Sequence, residues 1–286
     1  MLFGISTGFG VLDPVLLGWL GGEAERLGFD SVWLSDHVVL PAELRSEYPY
    51  GDGDLPLDPT ADLPDPIVAL AFLAARTTRL LLATGCLVAP QRNAVVVAKE
   101  LATLDRLSGG RVLLGVGLGW CRQEADAVGA TVAWDDRDQA AEELVAACRA
   151  LWTGRPVSFA GQHVRFDDVV CRPVPAAGTG IPVIVAGPSV AAARRAGRFG
   201  DGYLCAWPDP ATVGQRVEAM LRAADAAGRD PALLTVTVAA PPRPRTVDQL
   251  AAVGVHRVLF RVPLRSPDRT ARLLDRLATT FADQLA

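Results

Sequence analysis

A helical pattern ends and a strand-like run begins at Leu27-Gly28-Phe29-Asp30, and the phrase returns as Phe199-Gly200-Asp201-Gly202 and Val253-Gly254-Val255-His256. A glycine after the last helical residue is typical of a helix C-terminus, because glycine readily adopts the positive φ that ends the helix. The three copies predict one repeated unit, a helix followed by a strand, and not two unlike domains.

The repeated unit extends over nearly the whole chain. Eight apolar runs are predicted as strands: Phe3–Thr7, Ser31–Ser35, Leu80–Leu87, Arg111–Val116, Pro182–Ala186, Gly202–Cys205, Leu234–Val238 and Arg257–Val262. The helical patterns between and after them are Pro14–Leu27, Pro66–Thr77, Ala94–Leu107, Arg137–Trp152, Ser189–Phe199, Pro210–Ala227, Val247–Val253 and Pro267–Phe281. This alternation predicts an α/β fold, a (β/α)8 TIM barrel. We expect a single domain over residues 1–286, since such barrels have roughly 250 residues.

Composition excludes several classes of protein. Hydrophobic residues make up 50% of the chain and charged residues 21%, which predicts a large buried core. The net charge of −4, without a basic patch, argues against nucleic-acid binding. No apolar run reaches the roughly 18 residues of a membrane span. The 5 scattered cysteines indicate free thiols and a cytoplasmic location, and no ligand spacing predicts a metal.

Two segments interrupt the alternation of strands and helices. Residues 38–65, rich in Pro, Gly and Asp, follow the second strand, and residues 123–138 follow the fourth. Both leave from C-terminal strand ends, where barrel enzymes carry their chemistry. Long connections within a compact domain are usually functional, so we predict active-site insertion loops.

The second strand ends in Ser35-Asp36-His37. Histidine exchanges protons near neutral pH, and an adjacent carboxylate tunes it, so His37 is a candidate acid/base with Asp36 beside it. The alternative is a polar strand end without a catalytic role, but the location at the C-terminal face favours the site. His163 and His256 are interpreted as structural or surface residues.

Glycines leave the ends of the third and fourth predicted strands with few side chains. Gly85 and Cys86 lie at the end of the predicted third strand, where a glycine permits a bulge or a close ligand. Cys86 is interpreted as a packed thiol and not as a nucleophile. Gly115-Val116-Gly117-Leu118-Gly119-Trp120 resembles a dinucleotide fingerprint, but Trp120 occupies the third required glycine position. We expect a flat ring against this backbone, with Trp120 either a pocket wall or an ordinary packed aromatic.

Ala186-Gly187-Pro188-Ser189 joins the fifth predicted strand to its helix. Backbone N–H groups at such a helix start attract a phosphate, whereas the ordinary alternative is a Ser189 N-cap. The same residues approximate a nucleophile elbow, with Ser189 as nucleophile and His256 as base. Because His256 precedes the last strand, and a triad histidine belongs after it, the hydrolase is the weaker interpretation.

The run Leu101-Ala102-Thr103-Leu104-Asp105-Arg106-Leu107-Ser108-Gly109-Gly110-Arg111-Val112, followed by the glycines up to Trp120, resembles the luciferase-like monooxygenase superfamily. More narrowly it resembles the actinobacterial branch that uses the deazaflavin coenzyme F420. Ser35-Asp36-His37, Pro90-Gln91-Arg92-Asn93, Ala186-Gly187-Pro188 and Gly200-Asp201-Gly202-Tyr203 fit in the same order. The resemblance implies the same barrel, a homodimer, and an oxidoreductase that moves a hydride between F420 and a small organic substrate.

The resemblance also implies roles for matching residues. His37 would be the acid/base and would lie with Asp36 beside the deazaflavin ring. Gly85–Cys86 would form a bulge behind the ring, often a non-proline cis peptide. Further cofactor contacts are implied for Asn93, Gly117, Gly119, Ala186, Gly187, Pro188 and Ser189.

One residue departs from the pattern of the branch. Sugar-phosphate dehydrogenases of this group place a proton-donating glutamate where this chain has Trp120, and Glu124 is the candidate replacement. Trp120 and Gln123 are therefore predicted to form a substrate pocket with an apolar wall, suited to a hydrophobic organic molecule. The alternatives are an FMN-dependent monooxygenase, a serine hydrolase, and a non-catalytic ligand-binding barrel.

Overall fold

The computed structural model describes residues 1–7, 13–45, 48, 59–178, 180–206, 209–264 and 266–285. The strands are β1 (Leu2–Ser6), β2 (Ser31–Leu34), β3 (Leu81–Thr84), β4 (Leu87–Val88), β5 (Val112–Gly117), β6 (Val157–Ala160), β7 (Arg165–Val169), β8 (Val183–Ala186), β9 (Gly202–Ala206), β10 (Thr235–Ala239) and β11 (Arg257–Arg261). The α-helices are α1 (Pro14–Arg26), α2 (Pro66–Ala74), α3 (Ala94–Ser108), α4 (Arg122–Ala127), α5 (Arg137–Leu151), α6 (Val190–Phe199), α7 (Pro210–Ala226), α8 (Pro244–Ala252), α9 (Pro267–Thr280) and α10 (Ala282–Leu285).

Parallel strands close into a barrel, as the sequence predicts. The order around the sheet is β3-β2-β1-β11-β10-β9-β8-β5-β4, and β3 also pairs with β5. Strand β4 resumes the path of β3 after Gly85 and Cys86 and pairs with the end of β5. The 9 strand segments therefore form an eight-stranded barrel. Ile5 lies in register with Val32 on one side and Phe260 on the other.

The barrel strands are buried on both faces, which explains their nearly continuous apolar sequences. Every residue of β2 and β5 is buried. The interior of the barrel is a separate small core of Trp33, Ala83, Leu113, Ile184, Leu204 and Leu259. Gly115 is required by this packing, because a Cβ there would lie 2.0 Å from the Thr84 carbonyl oxygen.

The helices begin and end at residues typical of helix termini. Pro14 begins α1, and the Asp13 carboxylate accepts hydrogen bonds from Val15 and Leu16 N–H at 2.9 Å. Proline is tolerated there because the first helical N–H has no partner within the helix. Gly28, after α1, and Gly254, after α8, have φ values of +88° and +86°, as predicted for the repeated glycine, whereas Gly200, after α6, has an extended backbone with a φ of −82°.

Part of the segment 123–138, predicted as an insertion loop, is helical. Residues Arg122–Ala127 form α4, and α5 begins at Arg137, where the sequence predicts a helix start. Glu124 of α4 contacts the residues that follow β2, which the local sequence does not reveal. Of the predicted loop 38–65, residues 46–47 and 49–58 lie outside the described residues.

The connection between α5 and β8 contains an antiparallel hairpin of β6 and β7 that the sequence analysis missed. Its signal is an alternation of apolar and polar residues, for example Val157-Ser158-Phe159. The hairpin lies outside the barrel sheet. Among the helices of the described residues, none has the length and apolar character needed to cross a membrane.

Candidate active site

A cavity of about 490 Å³ opens at the C-terminal end of the barrel strands. This is the end at which TIM barrels carry their sites. Most of the residues predicted from sequence line it: Asp36, His37, Gly85, Cys86, Gly117, Gly119, Trp120, Ala186, Gly187, Pro188 and Ser189. The fold thus gathers four strand ends that are distant in sequence around one space.

His37 borders the cavity and is held from behind by Glu124. The His37 Nδ1 lies 2.9 Å from Glu124 Oε2, and the other carboxylate oxygen accepts the Val38 N–H at 2.7 Å. Glu124 is only 1% exposed. The buried carboxylate therefore fixes both the imidazole and the backbone that follows it.

Asp36 ties the second strand end to the third. Its carboxylate accepts the Val88 N–H at 2.9 Å and an Arg92 Nη2–H at 2.5 Å. Burial raises the pKa of Asp36 above its usual value, against the opposing effect of Arg92 and the Val88 N–H. Arg92 also contacts Asp65 at 3.3 Å. Asp36 thus anchors the segment after the bulge as well as lining the cavity.

The Gly85–Cys86 peptide bond is cis, as the family resemblance implies for this bulge. It interrupts the strand between β3 and β4 and directs Cys86 towards β5. A Cβ at Gly117 would lie 2.3 Å from Cys86 Sγ, so the thiol already fills that space. Burial, with a smaller effect of Asp36, raises the pKa of Cys86 to about 12. The thiol therefore stays protonated at neutral pH, which agrees with packing and not with nucleophilic attack.

The loop before α6 has the construction of an anion site. Ser189 caps the helix by accepting the Ala192 N–H at 3.1 Å, which confirms the ordinary N-cap interpretation. Tyr203 donates its hydroxyl hydrogen to the Gly187 carbonyl at 2.7 Å and fixes the loop. A Cβ at Gly187 would lie 2.7 Å from the Ala192 Cβ. The Ser189 side chain occupies the Ala192 N–H, whereas the other N–H groups of the first helical turn lack acceptors within the helix.

Aromatic rings form another side of the cavity. The Trp120 ring meets the His37 ring edge-on at 5.7 Å and the Tyr48 ring at 5.2 Å between centroids. Trp120 is partly exposed and lines the cavity, so of the two sequence-based interpretations the geometry agrees with the wall. Such rings offer an apolar surface for an organic molecule.

Three predicted site residues do not line the cavity. Asn93 caps α3, because its side-chain oxygen accepts the Val95 and Val96 N–H groups. The Gln123 side chain binds the segment after β2, because it accepts the Arg45 N–H and donates to the Glu43 carbonyl oxygen. Glu124 lies behind His37. In each case the hydrogen bonds of the side chain hold it away from the cavity, which it was expected to face.

Several residues of the cavity were not predicted from the sequence. They are Tyr48, Trp134, Arg137, Arg195, Leu204, Ala206 and Arg261, among others. Some were within reach of sequence reasoning, since Ala206 and Arg261 end β9 and β11 and lie within one residue of the predicted strand ends. Arg137 and Arg195 lie on helices, and no strand-end rule predicts that a helical side chain reaches the barrel mouth.

The hydrolase alternative lacks its geometry in the described residues. His256 precedes β11 and so lies at the N-terminal end of the barrel, opposite Ser189. Its Nδ1 accepts the Val236 N–H at 3.0 Å. Ser189 has no histidine partner in the described part of the chain, and its hydroxyl is used as a helix cap. In the same part of the chain, no group of three His, Cys, Asp or Glu side chains is arranged to hold a metal.

Comparison with known proteins agrees with the geometry. The family model described as luciferase-like monooxygenase matches residues 20–280. A protein of Mycobacterium tuberculosis whose activity is uncharacterized is 33% identical over 261 residues, which is 91% of each chain. An F420-dependent glucose-6-phosphate dehydrogenase of Intrasporangium calvum is 35% identical over 189 residues. That match covers 64% of this chain and 51% of the dehydrogenase, about half of its length.

A solved structure has the same fold. The coenzyme F420-dependent tetrahydromethanopterin reductase of Methanopyrus kandleri superposes with a TM-score of 0.78 at 16% identity, over 100% of this chain and 99% of the other. At this identity the similarity concerns the architecture and confirms the single barrel.

Proposed function

The chain belongs to the luciferase-like monooxygenase family, and we propose that it is an F420-dependent oxidoreductase acting on a small organic substrate. The observation that carries the proposal is the convergence of three features on one cavity. These are the His37–Glu124 pair, the bulge at Gly85–Cys86 and the anion-binding start of α6. The F420-dependent relative, 35% identical over part of the chain, supports this choice of cofactor.

The described residues fit a flat ring carrying a phosphate. Gly117 and Gly119 leave the wall of the cavity without side chains, and Cys86 with its cis peptide backs it. The first turn of α6 offers N–H groups and the positive end of a helix dipole to the phosphate. Gly187 permits the close approach of this loop, because a Cβ would already meet Ala192. When bound, the deazaflavin accepts or donates a hydride at C5.

Hydride transfer to or from a substrate must be matched by a proton, and we assign the proton to His37. In an oxidation, the substrate carbon gives up a hydride and its hydroxyl oxygen gives up a proton to His37 Nε2; a reduction runs in reverse. Glu124 fixes the orientation of the ring through its contact with Nδ1. Because Glu124 is buried behind the ring, it acts through His37 and not directly on the substrate.

The substrate is proposed to be an apolar or partly apolar organic molecule. Trp120 and Tyr48 present ring surfaces beside His37, where the sugar-phosphate dehydrogenases that this chain resembles have a glutamate. Burying a sugar hydroxyl against these rings without a hydrogen-bond partner costs free energy. This favours a substrate whose reacting carbon lies next to a hydrophobic group.

Titration of the purified protein with F420 and with FMN tests the cofactor. We expect the deazaflavin to bind with a Kd in the micromolar range or tighter, since ring stacking and phosphate binding act together, and FMN to bind more weakly. Fluorescence quenching of each cofactor measures both constants. Binding of FMN without binding of the deazaflavin would replace this proposal with an FMN-dependent monooxygenase.

We also propose a cytoplasmic homodimer. All five cysteines are free thiols, as expected in a reducing compartment. Helices α2 and α3 begin side by side, since Arg92 pairs with Asp65. Near these helix starts, the side chains of Val68 and Val96 are 71% and 52% exposed. Such a surface suits a second copy of the chain. Light scattering after size-exclusion chromatography of the wild type and Val68→Lys tests this, and a monomeric wild type would refute it.

A further inference from the structure

A second cavity, of about 720 Å³, opens at the N-terminal end of the barrel strands, opposite the candidate active site. Thr235 and Arg257, the first residues of β10 and β11, line it together with Asp201, which directly precedes β9. The end of α5 completes the wall with Arg149 and Trp152. We call this space the lower cavity and the candidate active site the upper cavity. The proposed hydride transfer uses no residue of the lower cavity.

The interior core of the barrel separates the two cavities. Leu113 and Ile184 of this core line the lower cavity, whereas Trp33, Leu204 and Leu259 of the same core line the upper one. The two linings share no residue. A molecule bound in the lower cavity therefore occupies a site of its own and does not contact the residues assigned to the cofactor.

The inner wall of the lower cavity is apolar. Leu113, Trp152, Ile181 and Ile184 line it, and each is 8% exposed or less. The Trp152 ring N–H donates to the Ala98 carbonyl oxygen at 3.0 Å, so the indole has no unpaired polar atom. An apolar ligand group that covers such a wall removes it from contact with water, which is favourable.

The rim of the lower cavity carries more positive than negative charge. Arg149 Nη2 lies 2.8 Å from Asp201 Oδ2, and Arg229 Nη2 lies 3.4 Å from Asp201 Oδ1. Asp201 is the one acid among the described residues of the lining, so a single carboxylate serves two guanidiniums. Arg257 is already paired, because its guanidinium lies 2.6 Å from the Asp30 carboxylate. The described rim therefore has one positive charge in excess.

Arg229 is the arginine with the less complete counter-charge. Its Nη1 donates to the Gly197 carbonyl oxygen at 2.7 Å, which fixes the guanidinium, but its 3.4 Å contact with Asp201 is long for a hydrogen bond. Arg149, by comparison, donates to Asp201 at 2.8 Å and to the Phe199 carbonyl oxygen at 2.7 Å. A guanidinium matches the planar shape of a carboxylate. Arg229 is thus a positioned cation with room for an anionic partner.

We propose that the lower cavity binds a small amphipathic monoanion, a carboxylate on an apolar body. The apolar body packs against Leu113 and Ile184, and the carboxylate pairs with Arg229. A neutral apolar molecule would leave the excess charge of the rim uncompensated, and a small inorganic anion would leave the inner wall in contact with water. The proposal goes beyond the proposed function and does not depend on it, because the site shares no residue with the upper cavity.

Isothermal titration calorimetry of the full chain with octanoate and with 1-octanol tests the site. The two probes share the same alkyl chain and differ in charge. For the wild type we expect octanoate to bind with a Kd of about 1 mM or tighter, and about 10-fold or more tightly than 1-octanol. This advantage should shrink from low to high salt, because dissolved ions screen the charge at a partly exposed rim.

Variants locate the probe. Arg229→Gln should lose most of the advantage of octanoate and should bind 1-octanol within about 2-fold of wild type, whereas Arg229→Lys should retain part of the advantage. Leu233 lines the rim and is 75% exposed, so Leu233→Glu leaves the core intact and adds a competing carboxylate. It should weaken octanoate binding by about 10-fold. Arg222→Gln, on the exposed side of α7, and Arg261→Gln, in the upper cavity, are the matched controls and should change octanoate affinity by less than about 2-fold.

The remaining outcomes each overturn the proposal. A wild type that binds neither probe, or both equally, refutes the site. Loss of octanoate binding in Arg261→Gln and not in Arg229→Gln would place the probe in the upper cavity. An equal loss of both probes in Arg229→Gln would show that this arginine acts through the fold. If Arg229→Gln does not fold, Leu233→Glu decides, since unchanged octanoate affinity in that variant contradicts a carboxylate at this rim. None of these results bears on the proposed function, which the cofactor titration tests separately.

Discussion

The His37 Nδ1 and the Glu124 Oε2 lie 2.9 Å apart, although 87 positions separate the two residues in the chain. The contact joins the end of β2 to the first turn of α4. It gives the imidazole a buried carboxylate on one side and the cavity on the other. This arrangement supports the proposed role of His37 as a general acid/base, with Glu124 as the group that orients it.

Replacement of His37 by Asn should lower turnover by roughly 10²-fold or more, because the proton that accompanies the hydride loses its acceptor or donor. Deazaflavin affinity should change far less, since the phosphate loop is untouched. Steady-state kinetics and cofactor titration of the same preparation measure both quantities. Full activity of this variant would assign the proton to solvent.

Replacement of Glu124 by Gln should lower turnover by about 10-fold, because the amide can still accept the Val38 N–H but no longer offers a carboxylate oxygen to His37 Nδ1. Steady-state kinetics measure the turnover, and cofactor titration of the same preparation should show little change in affinity. Glu124→Asp is the control that keeps the carboxylate and should retain part of the activity. Turnover identical to that of the wild type would show that Glu124 serves only the fold of α4.

Gly117 and Cys86 should be energetically coupled. A Cβ at Gly117 would lie 2.3 Å from Cys86 Sγ, so Gly117→Ala should displace the bulge and weaken cofactor binding by roughly 10-fold. Cys86→Ala by itself should retain activity within roughly a few-fold, because the thiol packs and does not react. The double variant should recover most of the lost affinity, which a double-mutant cycle of cofactor affinities measures. Independent, additive effects would contradict the packing role.

The barrel was predictable because the strands carry their signal locally. Parallel strands covered on both faces must be apolar throughout, and the sequence of β5 after Arg111 and up to Gly117 is apolar. The repeated glycines and the prolines at helix starts added the boundaries. The α4 helix was missed because it is short and its position depends on a contact between Glu124 and the distant end of β2.

The residues of the candidate site were predictable where their position at a strand end places them at the cavity. They were not predictable where the direction of a single side chain determines whether it reaches the cavity. His37, Gly117 and Gly187 follow from strand ends, which the fold brings together at one face. Asn93 caps α3, and its position before a helix is a familiar capping signal. Arg195 could not be found, because its reach from α6 into the cavity depends on helix packing that one sequence does not encode.

Glu25 should make a pH-dependent contribution to stability at the opposite end of the barrel. Burial opposes its ionisation, but the N–H groups of Arg79, Leu80 and Thr78 outweigh this and lower the pKa of Glu25 to about 2. A carboxylate with a lowered pKa stabilises the folded state above its unfolded value, near 4.3, and loses this effect as the pH falls towards 2.

Glu25→Gln should therefore lower the free energy of unfolding by about 1 kcal/mol at pH 7, and the difference from wild type should vanish as the pH falls through this window. Urea denaturation between pH 7 and pH 3 measures the trend. Glu23→Gln is a suitable control, because the neighbouring carboxylate pairs with the exposed Arg26 on its own helix and not with backbone N–H groups. A constant difference at all pH values would contradict the assignment.

Two variants in the loop before α6 distinguish an oxidoreductase from a hydrolase. Gly187→Val should weaken cofactor binding by 10-fold or more, because the Cβ would lie 2.7 Å from that of Ala192 and push the loop from the phosphate. Ser189→Ala removes only the hydroxyl that caps Ala192, so it should cost about 1 kcal/mol of stability and change cofactor affinity within about 3-fold. A serine hydrolase requires the reverse order, since loss of the nucleophile ends turnover. Cofactor titration and an esterase assay of the wild type and both variants measure this. Esterase activity in the wild type that disappears in Ser189→Ala would overturn the phosphate site.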